Sequence, residues 1–244
     1  MQEKHTFALY MQDLTAVIQH DKKIIVTDKH IMHRIAHVLR LHAEDSCVLF
    51  DRKQNIALSI TSITKKEINA VMLSKQQNKT FTPIIKLLLP VLKKDALSDA
   101  VYNAVELGAN AIQLVHTDKA QRTVSRAELE RLERVAIAAA EQSKNFAFPT
   151  ITPPVPLREV MGALDGNKLF FDPAGSAINK ALEQLKASNG MSINMLVGPE
   201  GDLTQEEKDM LSAQQWVFVA LTPTVLRAVQ AVAVGLGILR SFIF

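Results

Sequence analysis

Two rhythms of apolar and polar residues divide the chain. Over the first 75 or so residues, short β-type runs at 23–26, 47–50, 56–63 and 68–73 are separated by polar turns, the pattern of a small barrel. One helical stretch interrupts them: in 28–41 the apolar residues Ile31, Ile35, Val38 and Leu39 recur at helical spacing. The polar segment 74–80, SKQQNKT, has neither strand nor helix pattern and is the best linker candidate. From Pro83 the rhythm changes. Apolar runs at 84–89, 111–115, 168–171, 193–197 and 216–219 have the continuous character of buried parallel strands. Between them lie helical patterns at 95–107, ended by Gly108, and at 125–143, started by Ser125. A third, at 204–213, has a Thr204/Glu207 capping box, and the apolar stretch 226–244 closes the chain. Alternation of this kind predicts an α/β domain with a mostly parallel sheet. The predicted domains are therefore 1–74 and 81–244.

Composition adds exclusions. Of 244 residues, 48% are hydrophobic and 22% charged, ordinary for a protein with a real core. No apolar run reaches the roughly 18 residues of a membrane span, and the N-terminal residues lack the pattern of a secretory signal. The expectation is a cytoplasmic protein. The lone Cys47 allows no intramolecular disulfide, and no Cys/His cluster has zinc spacing, so no metal is expected. The net charge of +3 is too small to identify a nucleic-acid binder by itself. Its distribution says more. Five of the seven histidines, with Lys22, Lys23, Lys29, Arg34 and Arg40, fall in 20–42, against only Asp21 and Asp28. Such a cluster is either a solvated helix face or a surface that contacts phosphates.

Three segments could carry chemistry. In the first, an apolar run ends in Val197-Gly198-Pro199-Glu200-Gly201 and a capped helix follows. Ligands of open α/β sheets bind at the carboxyl ends of strands, where glycine lets them approach the backbone. Taken alone, the segment is as readily a turn that needs Gly and Pro. It is neither a Walker loop nor a dinucleotide fingerprint. In the second segment Arg227 opens an otherwise apolar helix, which calls for a partner or ligand unless the arginine simply faces water. The third, Glu141-Gln142-Ser143, ends an alanine-rich helix.

In this order these segments resemble the bacterial 16S rRNA uridine-N3 methyltransferases of the knotted SPOUT class. His33-Arg34-Ile-Ala-His37-Val38-Leu39-Arg40-Leu41 is similar to the family's N-terminal motif. So are Glu106-Leu107-Gly108, Ala140-Glu141-Gln142-Ser143 with Pro149-x-Ile151, Val197-Gly198-Pro199-Glu200-Gly201, and Leu226-Arg227. The chain departs from the pattern at Asp202, where the family has a second glycine, at Thr222 and Thr224, and at Val229.

The resemblance implies a PUA-like RNA-binding β-barrel followed by a trefoil-knot α/β domain. It implies S-adenosylmethionine as cofactor, 16S rRNA or the small ribosomal subunit as substrate, and a homodimer. Cofactor contacts would come from Phe171, Val197, Gly198, Pro199, Gly201, Leu221 and Leu226. Arg227 and Glu200 would be catalytic, and Arg34, His37 and Arg40 would contact RNA. Two other readings stay open: a relative that binds RNA without methyl transfer, and a knotted methyltransferase acting on a different RNA base.

Overall fold

The computed structural model describes residues 6–187 and 192–243. The chain forms two compact units. One holds the residues up to Lys79 together with Ala140–Ala147, and the other holds Thr80–Ala139 and Phe148 onward.

The first unit is built on a five-stranded mixed sheet. Its strands are β1 (Phe7–Tyr10), β2 (Lys23–Val26), β3 (Ser46–Phe50), β4 (Gln54–Ile63) and β5 (Ile68–Gln77), in the order β1-β3-β4-β5-β2. Only β1 and β3 run parallel. Period-two burial explains the strands: Ile56, Leu58 and Ile60 of β4 point inward, together with Cys47 and Leu49 of β3. Burial pushes the Cys47 thiol up to about 12, so it stays protonated and inert at neutral pH.

Two readings of the sequence change here. The stretch 74–80 is not a free linker, because β5 continues through Gln77 and pairs Ser74–Gln77 with β4; polar side chains suit an exposed strand end and hide the strand from a hydrophobicity pattern. The helix expected over 28–41 is α1 (Lys29–His33), capped by the Asp28 carboxylate, which accepts the Ile31 amide at 2.9 Å. It continues as a π-helical turn from Arg34 to Val38 and stops at Arg40, whose φ is +53°.

The second unit is a six-stranded sheet, parallel throughout, in the order β11-β9-β10-β6-β7-β8. The strands are β6 (Ile84–Pro90), β7 (Ala111–His116), β8 (Thr150–Pro156), β9 (Asn167–Ala177), β10 (Ser192–Val197) and β11 (Val217–Ala220). Helices α2 (Lys94–Glu106), α3 (Arg126–Ser143), α4 (Leu157–Met161), α5 (Ile178–Ala187) and α6 (Gln205–Ala213) connect them, and α7 (Ala228–Ile243) follows β11. The central strands are buried on both faces: Ile85, Leu87, Leu88 and Leu89 of β6 are buried, as are Ile193 to Val197 of β10, all apolar except Asn194.

Local signals set the helix ends. Thr204 and Glu207 form the expected capping box of α6. Gly108, with φ of +80°, ends α2, where a side chain would be strained. The last helix packs on α2, anchored by Arg240, whose guanidinium donates to the carbonyls of Pro83 and Gly108 and to Asn110 Oδ1.

Candidate active site

The sheet order reverses direction around β6 and β10: the chain leaves β6 toward β7 but leaves β10 toward β11. At such switch points the carboxyl ends of parallel strands open a crevice. A small cleft lies to the β9 side of that switch, beside the middle of β9 and the end of β11. Phe171, Asp172 and Pro173 form its floor, and Val219, Leu221 and Leu226 form much of its wall.

An irregularity in β9 creates the floor. Phe170 pairs with Phe218, but Val219 pairs with Ser176, so the intervening residues Phe171–Gly175 bulge out of the β9–β11 ladder. Gly175 makes this possible, because a Cβ there would collide with the backbone of Phe218 and Val219. Phe171 remains paired with Val197 of β10, and its ring lies against Gly235 of α7 where no Cβ would fit. The cleft therefore gathers Phe171, Leu221 and Leu226, with Val197 in register beside Phe171. All are candidates from the sequence.

Val197 ends β10 and the next residues form a turn closed by the Asp202 amide donating to the Pro199 carbonyl at 2.9 Å. Lys119 Nζ donates to the Gly201 carbonyl at 3.0 Å. Neither Gly198 nor Gly201 has a left-handed φ, and a Cβ at either would make only ordinary contacts. The fold's own atoms do not demand these glycines, which fits a surface that another molecule approaches closely. The left-handed residue of the turn is Asp202, φ +58°, which explains why glycine suits this position.

Asp202 brings in residues that motif reading missed. Its carboxylate accepts from Lys208 Nζ at 2.8 Å, and the same ammonium donates to Asp172 at 2.7 Å. Asp172 is only 4% exposed, and its other oxygen accepts the Ala174 amide at 2.8 Å. Lys208 thus ties the turn after β10 to the cleft floor. Burial alone would lower its ammonium, but hydrogen bonds to Asp172 and Asp202, with their charges, outweigh burial and raise it above the usual lysine value. The signal in the sequence was a polar Asp-Pro directly after the apolar run 168–171.

Glu200 and Arg227 are both exposed, and neither makes a side-chain hydrogen bond or ion pair among the described residues. Arg227 directly precedes α7, its carbonyl accepting the Ala231 amide. In the other unit, Arg34 is paired with Glu141, while His37 and Arg40 are exposed. His33 and His37 stack loosely at 5.1 Å and line a wide groove with Lys29, Met32 and Lys65. Among the described residues no group of His, Cys, Asp or Glu could hold a metal ion, and no helix is long and apolar enough to cross a membrane.

Comparison with known proteins identifies related sequences and folds. The chain is 26% identical over 223 residues to the ribosomal RNA small subunit methyltransferase E of Rickettsia conorii, covering 90% of each chain. It is 25% identical over 216 residues to the protein of that name from Synechocystis, covering 87% of this chain and 71% of the relative. Its fold matches that of a Legionella pneumophila putative methyltransferase in complex with SAM, with TM-score 0.82, 21% identity and 98% of each chain covered. It also matches the ribosomal RNA small subunit methyltransferase E of Neisseria gonorrhoeae bound to S-adenosyl methionine, with TM-score 0.80, 24% identity and 97% and 98% covered. The family model for the RNA methyltransferase domain matches residues 79–240, more than half of the chain, and the chain belongs to that family.

Proposed function

We propose that the chain is an S-adenosylmethionine-dependent methyltransferase acting on N3 of a uridine in 16S rRNA of the small ribosomal subunit. The observation that carries the reading is the cleft beside the β9 bulge and the end of β11. It has apolar walls for an adenosyl group, a floor carboxylate at Asp172 fixed by Lys208, and glycines left open in the adjoining turn. The small-subunit relatives extend it to the substrate, and the SAM-bound fold neighbours extend it to the cofactor. The first unit serves as a PUA-like RNA-binding barrel, the second carries a trefoil knot, and the enzyme works as a cytoplasmic homodimer.

When bound, the cofactor supplies an electrophilic methyl group on a sulfonium. The chain's residues must supply the rest. Uridine N3 carries a proton and attacks poorly, so proton removal and stabilisation of the resulting anion are needed. Arg227, without a side-chain partner among the described residues, is the cation for the developing charge, and Glu200 is the proton acceptor. Phe171, Leu221 and Leu226 exclude water from the donor and hold it in line, where positioning contributes much of the rate. Val197, Gly198, Pro199 and Gly201 present backbone groups to it.

Nucleoside mass spectrometry of 16S rRNA from cells with and without the gene tests the proposal. The expected result is loss of one 3-methyluridine on deletion, restored by the gene. Unchanged nucleosides would overturn it.

A further inference from the structure

A second cleft in the same unit, about 370 Å³, opens at the carboxyl ends of β7 and β8. Its size is typical of a ligand site, and it stands apart from the one already described. Leu157, Met161 and Met210 give it apolar walls, and His116, Thr117 and Gln121 give it polar groups. Two of those polar atoms are buried with no hydrogen-bond partner among the described residues: Thr117 Oγ1, on a residue 2% exposed, and His116 Nδ1. Buried polar atoms are seldom left unpaired in native proteins, so each such exception needs an explanation.

The charges around the cleft are already spent. Asp118 accepts from Arg158 at 3.0 Å and from the Thr204 hydroxyl at 3.3 Å. Glu207 accepts the Asp118 amide and the Thr204 amide, both at 2.9 Å. What remains is a hydroxyl, an imidazole nitrogen and an amide, between leucine and methionine walls. A phosphate would meet two carboxylates and little free positive charge. A neutral, planar heterocycle with hydrogen-bonding edges fits, since methionine packs well on aromatic faces and proteins read unstacked bases in this way.

Position decides which base. In the sheet order β9-β10-β6-β7, this cleft lies three strands from the cofactor cleft, about 14 Å at the usual strand spacing. Methyl transfer needs its reacting atoms within about 3.5 Å, so the target base cannot sit here in reach of a donor held by the same chain.

We propose that the cleft at the ends of β7 and β8 binds a nucleobase of the substrate RNA that flanks the methylated one, held by Thr117 Oγ1 and His116 Nδ1. The proposal rests on the RNA methyltransferase reading above.

The test is Thr117→Val, which removes only the unpartnered hydroxyl and leaves the melting temperature equal to or above that of the wild type. The substrates are target RNA fragments with a single abasic site walked through positions on either side of the uridine. For the wild type, one flanking abasic position raises KM about tenfold, the scale of one base contact. Thr117→Val raises KM for intact RNA, is insensitive to that same abasic site, and keeps the wild-type cofactor affinity and kcat. A wild-type KM in the variant, or an abasic penalty that simply adds to the mutation, overturns the proposal. If the protein transfers no methyl group, the functional reading fails by itself, and the same abasic walk scored as RNA Kd still decides the cleft.

Discussion

Arg34 and Glu141 lie 107 residues apart in sequence, yet they meet in a two-pronged ion pair: Nη1 to Oε1 and Nη2 to Oε2, both at 2.6 Å. Glu141 Oε1 also accepts the Tyr10 amide at 2.9 Å. The pair therefore joins β1, the basic helical segment and the end of α3 within the first unit. It also commits the guanidinium that the basic cluster suggested for RNA phosphates. We predict that Glu141→Ala destabilises the protein by about 1–3 kcal/mol, the scale for a largely buried charged hydrogen bond. Arg34→Lys should be destabilising too, because a lysine cannot reproduce the fork. Urea denaturation followed by tryptophan-independent circular dichroism measures both; unchanged midpoints would show the pair to be dispensable.

The Lys208 bridge carries a second prediction. Lys208→Met leaves the Asp172 carboxylate buried and without its cation, at a cost of about 2–4 kcal/mol. Cofactor affinity should fall with it, since Asp172 floors the cleft. Adding Asp172→Asn to Lys208→Met should recover much of the stability. The pH dependence has a definite sign. Lys208 is raised in the folded state, so its contribution is complete below the unfolded lysine value and fades as pH rises through the folded one. Thermal melts above about pH 10.4 should narrow the gap between wild type and Lys208→Met. A constant gap across that range would contradict the bridge.

Two glycines in one apolar helix should respond oppositely to the same substitution. A Cβ on Gly235 would collide with the Phe171 ring, whereas one on Gly237 meets nothing within 4 Å. Gly237→Ala should stabilise the protein by about 0.5–1 kcal/mol, the usual helical gain. Gly235→Ala must displace Phe171 and so should lower both stability and cofactor affinity. Calorimetry with S-adenosylmethionine and a thermal melt separate the two; similar behaviour of both variants would mean that Phe171 yields without cost.

The basic groove of the first unit makes a prediction in salt rather than in structure. Lys29 and Lys65 line it as exposed cations, and Arg40 is exposed nearby in sequence. Each lysine that contacts a phosphate releases counterions on binding. Lys65→Ala and Arg40→Ala should each weaken RNA binding and flatten the slope of log K against log salt by about one. An unaltered slope in both variants would move the RNA surface elsewhere.

Much of this architecture was legible because its signals are local. The runs at 84–89 and 193–197 became the buried parallel strands β6 and β10, and Thr204 with Glu207 formed the capping box they spell. What stayed hidden depends on pairing across distance. Strand β1 is four residues long and is specified by its partner β3, while the polar end of β5 exists because β4 lies beside it. The site divides in the same way. Gly198 to Gly201 and Leu226 advertise themselves as turn and helix-start residues, but Asp172 and Lys208 become a pair only once a bulge in β9 faces α6. Thr117 carries no motif, and only its burial without a partner marks it.

Arg227 offers the sharpest separation of chemistry from binding. It is exposed, sits one residue before α7, and is bound to no carboxylate among the described residues. Removing its side chain breaks no hydrogen bond or ion pair among the described residues, so Arg227→Ala should fold as the wild type does. If its charge stabilises the uridine anion, the interaction is stronger in the transition state than with either bound substrate. The expected loss is then in kcat, about 10²–10³-fold, the scale for losing one electrostatic stabiliser. Cofactor affinity by calorimetry should change little. Raising the reaction pH should recover part of the lost rate, because N3 then loses its proton with less help. A variant whose KM for RNA rises while kcat holds would instead make Arg227 a phosphate contact, and a wild-type rate would remove it from the mechanism.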